Sequence, residues 1–239
     1  AFNQDIRSWN VSNGSDLRGM FLGADNMQNN YGFSATPTSS EFDAMVPSEP
    51  STLDLSVLSD TGSSSADNIT TDTTPTITGT AEAGSTVKLY NGSNFLGSDT
   101  ADGTGIFSIT SSALAEGSYS LTATATDNAG LSSTSSSALA ITIDTTAPSA
   151  PSSITNTSQG NDNTPTITGS AEVGSTVKLY NGSILLGSAT ANSNGFSITS
   201  STLSDETYSL TATATDAAGN TSSSSTLSIT VDTTAPSAP

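Results

Sequence analysis

The 239 residues carry 22 acids against four bases, a net charge of −18, with no cysteine and no histidine. No disulfide can staple the fold, and the usual general base and commonest transition-metal ligand are both missing. So acidic a surface argues against a nucleic-acid partner, and no stretch is apolar enough to cross a bilayer. Hydrophobic residues make up only 33%. Serine and threonine nevertheless alternate with Ile, Leu, Val and Ala, the period-two signature of half-buried strands. The expectation is all-β, with thin cores.

Residues 1–33 differ from the rest, holding both arginines (Arg7, Arg18) and the only tryptophan. Phe2, Asn3, Gln4, Ile6, Trp9, Val11, Ser12, Met20 and Phe21 fall in a pattern that resembles the BspA-like leucine-rich surface repeats. Leu17 departs from it, standing where that family usually has Met. The resemblance implies the last turn of a longer solenoid, since one such unit cannot bury its face alone. Residues 34–52, rich in Pro, Ser and acids, read as a linker.

From there the chain repeats itself. Thr74–Gly105 (TPTITGTAEAGSTVKLYNGSNFLGSDTADGTG) matches Thr164–Gly195 at 24 of 32 positions. YSLTATATD recurs at 119–127 and 208–216, and DTTAPSAP at 144–151 and 232–239. Two domains follow, 53–147 and 148–236, with 237–239 opening a next linker. Strands are expected at Leu55–Leu58, Thr76–Ala81, Thr86–Asn91, Phe95–Thr100, Ile106–Thr110, Tyr119–Thr126 and Ala138–Ile143, then again in domain two. Asn91-Gly92 signals a hairpin. Seven short strands at this spacing predict an immunoglobulin-like β-sandwich, twice in tandem, with Tyr119 and Tyr208 at tyrosine corners.

Four acidic positions recur in both repeats: Asp72/Asp162, Glu82/Glu172, Asp127/Asp216 and Asp144/Asp232. In the sandwich topology Glu82 and Asp127 fall at the leading end, and Asp72 and Asp144 at the trailing end. A six-residue strand spans about 20 Å, so one ion cannot join the two ends. Stacked head to tail, Asp72 and Asp144 would instead face Glu172 and Asp216. Four carboxylates together repel, and a hard cation such as Ca²⁺ relieves that repulsion. Asp162 and Asp232 would form the matching trailing half for a further repeat. Asp60 and Asp67 lie in a second, local acidic loop leading to Asp72. The competing reading is turn chemistry, with each acid capping a loop.

TPTITGTAEAGSTVKLY, SDTGSSSADNITTDTTP, YSLTATATDNAG and DTTAPSAP resemble the bacterial immunoglobulin-like repeats (Big or Bap type) of very long surface adhesins. The resemblance implies a secreted, bacterial cell-surface protein involved in adhesion and biofilm, with calcium between repeats. It makes the leading expectation a non-catalytic extender. Its partners would be neighbouring repeats and a host or surface receptor that the sequence does not identify. The alternative is a self-assembling filament or surface layer, in which residues 34–52 donate a strand to another copy. A carbohydrate-binding module is a weaker reading, because neither repeat contains a tryptophan.

Overall fold

The computed structural model describes residues 46–238. The solenoid-like segment 1–33 and residues 34–45 of the expected linker lie outside the described residues. Fifteen strands follow in order: β1 Ser51–Leu55, β2 Ile69–Thr70, β3 Thr76–Thr80, β4 Thr86–Asn91, β5 Asn94–Thr100, β6 Ile106–Thr110, β7 Gly117–Thr126, β8 Leu139–Ile143, β9 Ser152–Asn156, β10 Thr166–Ser170, β11 Thr176–Asn181, β12 Ile184–Thr190, β13 Phe196–Thr199, β14 Glu206–Thr215 and β15 Ser225–Val231. They form sheets ordered β1-β3-β6, β2-β8-β7-β4-β5, β13-β10-β9 and β12-β11-β14-β15. Each repeat is thus a sandwich of a three-stranded and a larger sheet, the tandem immunoglobulin-like architecture that the alternation predicts. By contacts the chain clusters into two units. Among the described residues, one takes in 46–56 with Thr74–Ala113 and Tyr119–Ala140; the other takes in Val57–Thr73, Leu114–Ser118 and 141–238.

In the first unit, alternation becomes burial. Ile77 points inward from β3, Val87 and Leu89 from β4, and Leu121, Ala123 and Ala125 from β7, all with no exposed surface. Thr122 and Thr124 occupy the positions between them in β7, and Lys88 the position between Val87 and Leu89 in β4. Gly79 has a specific reason to be glycine. It pairs across the sheet with Phe107, and a Cβ there would sit 2.6 Å from the ring's Cζ. Gly169 repeats the arrangement against Phe196, at 2.8 Å. The TITG motif therefore makes a slot for a phenylalanine ring in each core.

The second unit contains one compact core. It draws on Ile167, Val177, Leu179, Phe196, Ile198, Leu210, Ala212, Ala214, Ile229 and Val231. Tyr208 completes it as a tyrosine corner. Its ring is buried, and its hydroxyl donates to the Ser204 carbonyl at 3.1 Å while accepting from the Ser204 amide at 3.1 Å. Tyr208→Phe keeps the ring and removes both bonds. A loss of about 1 kcal/mol is expected by urea titration; an unchanged midpoint would mean that the hydroxyl contributes nothing.

The first strand needs correction, one strand is unexpected, and the hairpin signalled by Asn91-Gly92 is present with its loop now defined. The first strand runs Ser51–Leu55, not Leu55–Leu58; Val57 and Leu58 are 72% and 94% exposed. Leu53 and Leu55 are its inward residues instead, and the strand starts inside the expected linker. Between Ser51 and Asp54 the register shifts, with Thr52 at φ 51°; β9 repeats this with Ser153 at φ 51°. β2 was not expected at all: two residues pair in parallel with β8, Ile69 opposite Thr142 and Thr70 opposite Ile143. Finally, Asn91 pairs with Asn94, so Gly92-Ser93 is the hairpin loop, with Gly92 at the left-handed φ of 59° that such turns require.

Candidate functional site

Acids cap several loops of the two repeats. Asp102 Oδ1 accepts from the amides of Thr104 and Ile106 and from the Thr104 hydroxyl, and the Thr104 hydroxyl holds its carboxyl below the ordinary carboxylate value. Asn192 does similar work for Asn194, which explains why Asp gives way to Asn there. Asp127 Oδ1 accepts from the Ala129 and Leu131 amides. Glu82 and Glu172 act through their carbonyls, which accept from Ser85 and Ser175. Both Glu side chains are exposed, and Glu82 borders a hollow of about 260 Å³ with Glu49. Asp67 accepts from the Ile69 amide at 3.2 Å. Asp162 takes the Thr164 amide and hydroxyl, and the amide bond leads the causes that lower its pKa.

Where each repeat ends, the same geometry is built twice. The β8 end is tied by Asp144 N donating to the Thr70 carbonyl; the β15 end by Asp232 N donating to the Gly160 carbonyl. Asp144 and Asp232 then each cap the amide two residues on, Thr146 and Thr234, at 3.1 Å. A second acid completes each end. Glu116 Oε2 accepts from the hydroxyls of Thr145 at 3.0 Å and Thr146 at 2.5 Å. Asp205 accepts from the Thr233 amide and hydroxyl and from the Thr234 hydroxyl at 2.7 Å. The Thr146 hydroxyl is the main cause that lowers the Glu116 pKa, and the Thr233 hydroxyl is the main cause for Asp205. Sequence reasoning passed over this pair. The signal was present: counted back from Tyr119 and Tyr208, both positions are acidic.

Within the second unit, the loop 57–73 is seated on the turn after β14. The Thr61 hydroxyl donates to the Ala218 carbonyl at 3.2 Å, and Ser63 N donates to Ala217 O at 3.2 Å. Glycine permits the approach: a Cβ on Gly62 would lie 2.1 Å from Ala217 O, and one on Gly219 2.9 Å from Gly62 Cα. Asn220 Nδ2 donates both to the Asp144 carbonyl at 2.9 Å and to Asp216 Oδ2 at 3.0 Å. Asp216 Oδ1 meanwhile accepts the Gly219 and Asn220 amides at 2.8 Å. Asp60 and Asp216 are only 5% and 7% exposed, and Asp72 accepts from Ser59 at 2.8 Å.

Asp60, Asp72, Asp144 and Asp216 are thus carried on segments tied together by hydrogen bonds. Glu172 stays exposed on its own turn, while Asp162 and Asp232 belong to the other, repeated end. No group of three or more carboxylates suited to a metal ion occurs among the described residues. The donors offered are all oxygens, two of them buried carboxylates, a chemistry suited to a hard cation over a soft one.

The comparisons bear on both repeats. Fibronectin(III)-like modules of CbhA from Clostridium thermocellum are 21% identical with a TM-score of 0.44, covering 68% of this chain and 87% of that one. The BSP domain structure of a biofilm associated protein is 22% identical with a TM-score of 0.29, covering 89% of this chain and 36% of that one. The FN1–FN3 domains of chicken CNTN1 are 13% identical with a TM-score of 0.46, covering 78% and 65%. No curated protein matches the chain. The family model described as bacterial Ig-like domain matches residues 46–145 and again 147–233. Most of the chain is covered by those two matches, and it belongs to the bacterial Ig-like domain family.

Proposed function

We propose that this chain is a non-catalytic extender segment of a bacterial cell-surface adhesin, working outside the cell. Its repeats set distance and stiffness between a binding end and the surface. The observation that carries this reading is the twofold recurrence of one frame. Both repeats have the same glycine slot for a phenylalanine, the same bulge in the first strand, and the same capped Asp-Thr-Thr at the end. A chain selected for one active site has no need to duplicate its connector so closely.

Ca²⁺ belongs to the same proposal. The residues proposed for it are Asp72, Asp144 and Asp216, carried with the buried Asp60 on segments tied together by hydrogen bonds; Glu172, on its own exposed turn, stands apart from them. Bound there, the ion would supply positive charge that offsets repulsion among these acids and would oppose loosening of the loop 57–73. The effect on stability follows the excess of ligand over Kd, about 1.4 kcal/mol at a tenfold excess. Melting should therefore occur several degrees higher in calcium than in chelator. Coincident melting curves would remove calcium from the account.

The extender reading itself is tested by scattering at rising protein concentration. An extender keeps one particle length throughout. A particle that lengthens with concentration would favour the filament reading, with strand donation between copies.

A further inference from the structure

We propose that Glu116 and Asp205 are positioning residues that fix the direction in which the chain leaves each repeat. The inference deepens the extender reading, because a stalk is only as straight as its connectors.

Three observations point this way. First, each acid lies in the turn before β7 or β14, yet its hydrogen bonds go to the two threonines just after β8 or β15. The bond therefore ties the connector to the body of the repeat it is leaving, about 29 residues away in sequence. Second, the two clasps are built from different residues. A glutamate does in the first repeat what a shorter aspartate does in the second. Only the target is the same, the Thr-Thr of DTTAPSAP, so what recurs is the tie to the connector. Third, the connector is braced from both sides. Asp144 or Asp232 holds the second amide from within the strand end, and Glu116 or Asp205 holds the hydroxyls from the neighbouring turn. The following prolines Pro148 and Pro236 fix one further φ in each connector.

Every atom in each clasp comes from the repeat that is being left. The clasp is thus built repeat by repeat from the residues of that repeat, and in the first connector the Asn220 amide adds a bond to the Asp144 carbonyl. Direct hydrogen bonds to an ionised acceptor are the stronger kind, so two or three together can hold a short segment that no core covers. The depressed pKa values of both acids agree with that arrangement.

The test is backbone ¹⁵N relaxation on the full chain, with chelator present throughout so that calcium plays no part. In the parent protein the amides of Thr233 and Thr234 should have order parameters near about 0.85, typical of rigid backbone. Asp205→Ala should drop them below about 0.6, the flexible range. Asp205→Glu should restore them, because Glu116 already does this work in the first repeat. Asp102→Ala removes a cap of the same type far from the connector, and should leave Thr233 and Thr234 rigid. The mirrored set, Glu116→Ala against Glu116→Asp, is read at Thr145 and Thr146. The proposal is overturned if Asp205→Ala leaves the threonines rigid, or if Asp102→Ala loosens them equally. Concentration-dependent growth in scattering would sink the extender reading and leave these relaxation results standing.

Discussion

Phe107→Ala should destabilise the first repeat by about 4 kcal/mol, the middle of the range for emptying a ring-sized site. The ring is 1% exposed and lies against Gly79. Its surroundings cannot collapse into the space left behind. Gly79 has no side chain to move, and the buried Ile77 and Ile109 on the same two strands are β-branched and stiff at χ1. A domain of this size has only about 5–15 kcal/mol of stability in total, and no disulfide adds to it. Phe196→Ala should do the same to the second repeat, where the ring is 5% exposed. Urea titration of each variant should show one transition moving and the other staying. A loss under about 1.5 kcal/mol would mean that the slot refills and the ring is not the centre of the core.

Gly62→Val should unseat the loop 57–73 at an expected loss of about 3 kcal/mol. Roughly 1–2 of this is left-handed backbone strain at φ 107°, and the remainder is overlap with the Ala217 carbonyl. The readout is local: the Ser63 amide, bonded to that carbonyl, should exchange far faster with solvent. Gly103→Val is the control, since nothing lies within 4 Å of a Cβ there. Equal protection at Ser63 in both variants would show that the loop is held by something other than this approach. The same substitution bears on the proposed calcium binding near Asp60 and Asp216. If their burial depends on the seated loop, calcium sensitivity of melting should disappear along with it.

Strands with a clean period of two were legible from sequence, because one face of each is buried and the pattern follows from that. β4 and β7 illustrate it, with Val87, Leu89, Leu121, Ala123 and Ala125 falling in step. The first strand was misplaced because Val57 and Leu58 continue the apolar pattern of Leu55, while the true strand is interrupted by a bulge at Thr52 that no pattern marks. β2 is two residues long and pairs in parallel, and neither property leaves a periodic trace. The recurring acids were found, but their work as caps depends on loop geometry. Glu116 and Asp205 were missed because each sits in a turn whose neighbours differ, AEG against SDE, so only the tyrosine that follows aligns them.

The bulges at Thr52 and Ser153 have a consequence for how such a chain is made. They lie on β1 and β9, which are outer strands of the three-stranded sheets. Adjacent repeats emerge from the ribosome with nearly the same sequence, so a strand of one could pair into the sheet of the next, the characteristic failure of tandem arrays. A left-handed residue and a register shift spoil the regular row of amides and carbonyls that such an intruder would need. A side chain other than glycine at φ 51° is a strained choice, and it is made at the same place in both repeats. An edge broken in this way is expected to disfavour pairing between a newborn repeat and its near-twin, leaving each to fold on itself.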